Sequence, residues 1–189
     1  MSGNLRNTPL GYGWIAILLH WTMALAIVAM FGLGLYMVEL TYYDAWYKGS
    51  LDLHKSAGIL VALLWLTRVC WRLLNPTPKP LSEKPLENKA AHIAHLGLYT
   101  LMAMLFLSGY LISTADGLAI TVFGLFDVPA TLTGNGQADV AGEVHEWLAW
   151  SLIALATFHG VAALKHHFID KDKTLLRMIR PESNSNEFK

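Results

Sequence analysis

A chain of 189 residues that is 54% hydrophobic, only 15% charged and of mean hydropathy +0.39 is too apolar for an ordinary soluble domain. A formal net charge of zero supplies no overall basic field for nucleic acid. The lone cysteine, Cys70, excludes an intramolecular disulfide or a cysteine metal cluster.

A hydrocarbon core about 30 Å thick takes roughly 20 apolar residues of helix. The first run that meets this test is 14–38, which is free of Asp, Glu, Lys and Arg. It is too long for the apolar core of a cleaved signal peptide, and Gly34-Leu35-Tyr36 offers no small-x-small cleavage site. The second span, about 53–74, is clean from Ser56 to Thr67 and fringed by Lys55, Arg68 and Arg72, whose long side chains can snorkel to the headgroups. The connection "NPTPKPLSEKP" carries four prolines in eleven residues and reads as an extended surface segment. A third span follows at about 93–115. The stretch from Ser113 to Glu143 is long and acidic, without Lys or Arg, and its apolar part "LAITVFGLFDVPATL" reads as either an interfacial helix or a hairpin. The fourth span, about 145–167, leads into a polar ending, "RPESNSNEFK".

The expected fold is therefore all-α, an integral membrane four-helix bundle filling residues 1–180 as one domain, with 181–189 a disordered tail. Four spans place both termini on one side. The segments on that side, counted with Arg68, hold 12 of the 14 basic residues, leaving Lys48 and Lys55 on the other. The positive-inside rule makes this N-in, C-in in a bacterial inner membrane, with the acidic connection between the third and fourth helices outside.

Eight histidines remain to be placed. A lone membrane histidine can simply tie helices by donating to a backbone carbonyl, and His20 taken alone fits that as well as a functional role. The fourth span alters the balance. His145 and His159 are 14 residues apart, which at 100° per residue returns to within about 40° of one face and separates them by roughly 21 Å along the axis. Span one enters from the cytoplasm and span two from outside. His20 therefore shares the inner level with His159, and His54 the outer level with His145.

Two imidazoles facing across a bundle suit the axial positions of haem iron. The small residues of "ALAIVAMFGLG" and "KSAGILVAL" leave room for a porphyrin, and without Cys-x-x-Cys-His the haems would be non-covalent b-type. Arg68 and Arg72, at i,i+4, can meet haem propionates or a quinone carbonyl, and equally serve as inner anchors. Lys55 beside His54 offers the same at the outer level, and His95 is a candidate to face a quinone or donate a proton to it. His92 with His95 lacks a third ligand for zinc in the sequence nearby. His166 and His167 sit where the last span leaves the membrane and read as interfacial, and Trp21 and Trp147, beside His20 and His145, equally fit interfacial belts.

The chain resembles the bacterial cytochrome b561 family, related to the cytochrome b subunits of nickel–iron hydrogenases. The resemblance rests on "LLHW", "LHKSAGIL", "AHIAHLGLY" and "VHEWLAW…FHGVAALKHHF" followed by "DKDKTLLRM", and covers about residues 10 to 180. "SGYLISTADG" and "FGLFDVPATL" are similar to the subgroup found beside a periplasmic polyisoprenoid-binding protein. The resemblance implies that His20, His54, His145 and His159 ligate two haems b. It implies one-electron transfer to or from a membrane quinone such as ubiquinone, with that periplasmic protein or a dehydrogenase as partner. One branch of the family oxidises superoxide. An outer face with Lys48 and Lys55 against Glu39, Asp44, Asp52, Asp116, Asp127, Asp139, Glu143 and Glu146 opposes steering of an anion. The alternatives are a proton or metal transporter lined by histidines, and a haem-free membrane anchor. Against transport stands the absence of Asp and Glu from the central apolar runs.

Overall fold

The computed structural model describes residues 5–181; the expected disordered tail lies, except for Pro181, outside the described residues. Four long helices, α1 (Trp14–Val38), α2 (Tyr47–Leu74), α3 (Pro85–Thr114) and α4 (Gln137–Phe168), are each long and apolar enough to cross a membrane. An antiparallel hairpin of β1 (Ile120–Val122) and β2 (Phe126–Val128) lies between α3 and α4, and a short 3-10 turn, Leu176–Met178, follows α4. The chain is a membrane-spanning all-α bundle.

The helix ends have local causes. Asn75, extended at ψ 147, stops α2 ahead of Pro76, where a proline ring disfavours the helical conformation of the preceding residue. Pro85 opens α3 at a position where its missing N–H is no loss. Gly136, at φ +71, turns the chain into α4 through a conformation that favours glycine. The outer apolar stretch resolves as a hairpin. Its turn has Phe123 and Gly124 both at positive φ and closes with Leu125 N–H donating to the Val122 carbonyl at 2.9 Å, leaving three residues, 123–125, between the paired Val122 and Phe126.

Helix α1 packs along α2 and α3 along α4, whereas α1 and α4 make only slight contact. A central apolar layer of Met23, Ile27, Val61, Met102 and Leu152 joins all four. Many large side chains elsewhere face outward, Leu25, Val28 and Phe158 among them. In water this would be an aggregating surface; in lipid it is the solvated one. At one end of the bundle the segment before α1, the α2–α3 connection and the segment after α4 are laced together. Lys79 N–H donates to the Pro9 carbonyl at 3.0 Å, Arg177 Nη1 to the Lys79 carbonyl at 2.8 Å, and Trp21 Nε1 to the Met178 carbonyl. The hairpin closes the other end. Ser56 Oγ accepts from Phe123 N–H at 3.1 Å and donates to the Thr121 carbonyl at 3.3 Å, burying Val122 completely.

Candidate haem sites

The histidines of α4 meet partners from the opposite hairpin. The rings of His20 (α1) and His159 (α4) have centroids 6.4 Å apart, and those of His54 (α2) and His145 (α4) 6.3 Å apart. Both pairs span the gap where the α1–α2 and α3–α4 hairpins stand apart. The apolar layer lies between them, so the two pairs occupy different levels along α4.

These separations can be tested against metal ligation. With an imidazole nitrogen about 2 Å from a metal on each side, two rings bound trans to one ion have centroids roughly 6 Å apart. Both pairs fit. His54 Nδ1 is also buried without a hydrogen-bond partner, so no protein group fixes which nitrogen of that ring is free. Glycine allows the rings their space. A Cβ on Gly109 would stand 3.1 Å from His145 Cε1, and one on Gly34 would stand 3.5 Å from His54 Cε1.

The surroundings of the His20–His159 pair are basic and aromatic. Arg68 donates from Nη2 to His20 Nδ1 at 2.9 Å and from Nε to Tyr99 Oη at 3.0 Å. The guanidinium carbons of Arg68 and Arg72 lie 5.7 and 5.4 Å from the Tyr99 ring centre, within cation–π range. His95 joins the same cluster, its centroid 5.2 Å from that of His159, which is short for a second ring trans to one ion. Beside it a groove of about 470 Å³ opens between α2 and α3, lined by Trp65, Arg72, His92, His95, Leu96 and Tyr99 among others. Next to His54, Lys55 is ion-paired with Asp52 at 3.1 Å. Both line a cavity of about 600 Å³ under the hairpin with Ser56, Thr121 and Phe123.

Four features of these surroundings escaped the sequence reading. Tyr99 links the two arginines, and Gly109 makes room for His145. Ser108 Oγ stands 3.0 Å from His145 Nδ1. His166 Nδ1 lies 3.0 Å from both Asp170 and Asp172, near Glu87. In sequence, Glu87 and Asp170 are 83 residues apart, and no spacing rule joins them.

The sequence model of prokaryotic cytochrome b561 matches residues 11–181. This chain belongs to the prokaryotic cytochrome b561 family. It is 54% identical over 183 residues to cytochrome b561 homolog 2 of Escherichia coli (strain K12), covering 96% of this chain and 97% of that one. It is also 33% identical over 171 residues to the probable superoxide oxidase CybB of Yersinia pestis, covering 89% and 95%. Cytochrome b562 of Cereibacter sphaeroides is 31% identical over 178 residues, covering 90% and 96%. Membership makes the chain a b-type membrane cytochrome that carries electrons, a multi-pass protein of the inner membrane. As a cytochrome b561 it binds haem b, which the half-buried imidazole pairs fit.

Proposed function

We propose that this cytochrome carries two haems b, one between His20 and His159 and the other between His54 and His145, and moves single electrons between a membrane quinone and a reactant at the opposite face. The observation that carries this reading is the repetition of one ring separation at two levels of the bundle. Haem iron supplies the one-electron chemistry. The chain's own residues set its terms. The four imidazoles ligate, and the aliphatic layer keeps water out between the two levels. Arg68, with its planar fork, is placed to neutralise a propionate carboxylate at the inner level.

The groove beside His95 is where we place the quinone head. It is apolar along α3, and it presents Arg72, His92 and His95 as groups that can hold a carbonyl oxygen or hand it a proton. Lys55 serves the outer level, within a cavity bordered by Asp52 and the hairpin. Both termini lie in the cytoplasm on this reading, because the laced end of the bundle gathers the basic segments. One reading of the outer reactant is superoxide, which the name of the Yersinia relative favours. The acidic outer face opposes it, since the Lys55 ammonium is already matched by Asp52.

The deciding experiment measures haem per chain in purified protein and its anaerobic reduction by ubiquinol, alongside reduction by superoxide. The expectation is two haems, reduced by the quinol. One haem per chain refutes the paired reading, and indifference to the quinol refutes the groove assignment.

A further inference from the structure

The two ligands of α4 are not held alike. His145 faces α3 at the step where Ser108 and Gly109 follow one another. Ser108 is 4% exposed, and its hydroxyl donates to the Leu105 carbonyl one turn back at 3.0 Å. A hydroxyl has a single hydrogen. With that hydrogen on Leu105, the 3.0 Å contact between Ser108 Oγ and His145 Nδ1 is made by the ring nitrogen donating to the oxygen. Nδ1 then carries the proton and Nε2 is the nitrogen left for a metal. Along the same edge of the ring, Gly109 leaves the space that Cε1 fills, and any Cβ there would stand 3.1 Å from Cε1 and 3.5 Å from Nδ1. Ser108 sets the tautomer and Gly109 the clearance.

We infer that Ser108 is a positioning residue for the outer haem, holding His145 through an Nδ1–H···Oγ–H···O=C chain that ends on the Leu105 carbonyl. The inference rests on the two-haem reading. A hydrogen bond from the far nitrogen of a ligating imidazole fixes its rotation and makes it a stronger donor to the metal. A stronger donor favours the ferric state, so the chain lowers the potential of the outer haem relative to an unsupported ring. At the inner level the group 2.9 Å from His20 Nδ1 is Arg68, which has donors only and so offers that ring no acceptor of the kind Ser108 offers His145. His54 Nδ1, the partner across the outer level, has no hydrogen-bond partner. Second-sphere support of the outer pair therefore falls on His145.

The test is a spectroelectrochemical titration of the holoprotein in detergent, with the component lost in His54→Ala taken as the outer haem. In Ser108→Ala the outer component should shift about tenfold toward ferrous at a fixed ambient potential, which for one electron is an upward move of 59 mV. The inner component should stay in place. Ser108→Thr, which keeps the hydroxyl, should restore the outer value, and Ser108→Cys, with a weak acceptor of similar size, should fall between. Should the alanine variant fail to assemble, the cysteine variant carries the test, and a wild-type outer potential there overturns the inference. An unshifted outer component in Ser108→Ala overturns it too, as does an equal shift of both components. A wild-type protein that titrates as one haem sinks the two-haem reading itself, a failure visible before any Ser108 variant is made.

Discussion

At the scale of single residues, the two histidine pairs need room if they are to hold the proposed haems, and glycine provides it unequally. A methyl group at position 109 would sit 3.1 Å from His145 Cε1, closer than van der Waals contact, while one at position 34 would sit at an ordinary 3.5 Å from His54 Cε1. Gly109→Ala should therefore displace His145, weaken the outer haem and lower stability by about 1–3 kcal/mol, the range for overpacking. Gly34→Ala should leave both haems bound. Haem content and the thermal bleaching of each spectral component distinguish the two. The histidines themselves predict a pattern of shared loss. His20→Ala and His159→Ala should each remove the same component, and His54→Ala and His145→Ala the other. Loss of one component by both His20→Ala and His54→Ala would break the pairing. The facing of these histidines in pairs is legible in the sequence because depth and a 14-residue interval on one helix order them before any packing is known. Ser108, Gly109 and Tyr99 are not, because their relation to His145 or Arg68 depends on how α3 is turned against its neighbours. Serine and glycine in an apolar helix otherwise read as ordinary small residues for close helix contact.

At the scale of elements, hydropathy locates the part of a helix inside the membrane and not the whole helix. The first span was expected at 14–38 and is Trp14–Val38. The other three helices start at Tyr47, Pro85 and Gln137, six to eight residues before the expected 53, 93 and 145. Each added segment is amphipathic or charged, such as "YKGSLD" or "PLENKAA", so it lowers a hydropathy window while remaining helical at the interface. Pro85 and Gly136 mark two of these starts with conventional punctuation. The hairpin was open between two forms because "TVFGLF" puts a phenylalanine, Phe123, at φ +48, where bulky residues rarely stand. Ser56 holds that turn from α2. Ser56→Ala should leave the Phe123 N–H and the Thr121 carbonyl without their partner and cost about 1–3 kcal/mol. Faster amide exchange across 120–128 and a lower melting temperature would register it. The opposite end has a latch of a different kind. Lys165 Nζ bridges Glu87 at 3.2 Å and Asp170 at 2.7 Å, joining the start of α3 to the end of α4. Its side chain is 39% exposed and the pair is screened by solvent, so Lys165→Gln should leave the melting temperature nearly unchanged. A larger loss would mean that the network acts as one unit with His166 and Asp172.

At the scale of the whole molecule, charge is segregated along the bundle, and this bears on what can react at each face. Outside the membrane on the hairpin side the carboxylates stand largely unanswered by cations. Asp44 is further committed to its charged form, since the Thr41 hydroxyl and the Thr41 N–H both donate to it at 2.7 Å and hold its carboxyl below the usual range. The single nearby lysine on α2 that could offset them at the outer pair, Lys55, is paired with Asp52. An anion approaching this face meets repulsion that extends about a Debye length, near 10 Å at 0.1 M salt. If superoxide is the outer reactant, its rate should rise with ionic strength, the reverse of an electrostatically steered reaction. Asp52→Asn frees the Lys55 ammonium and should raise the rate at low salt while flattening the salt dependence. A neutral quinol at the inner groove should show little response to either change. Stopped-flow reduction at two ionic strengths, in wild type and Asp52→Asn, separates these cases. A wild-type rate with superoxide that falls steeply as salt is added would mean that local geometry at Lys55 overrides the surrounding carboxylates, and the outer face would then be a funnel for anions after all.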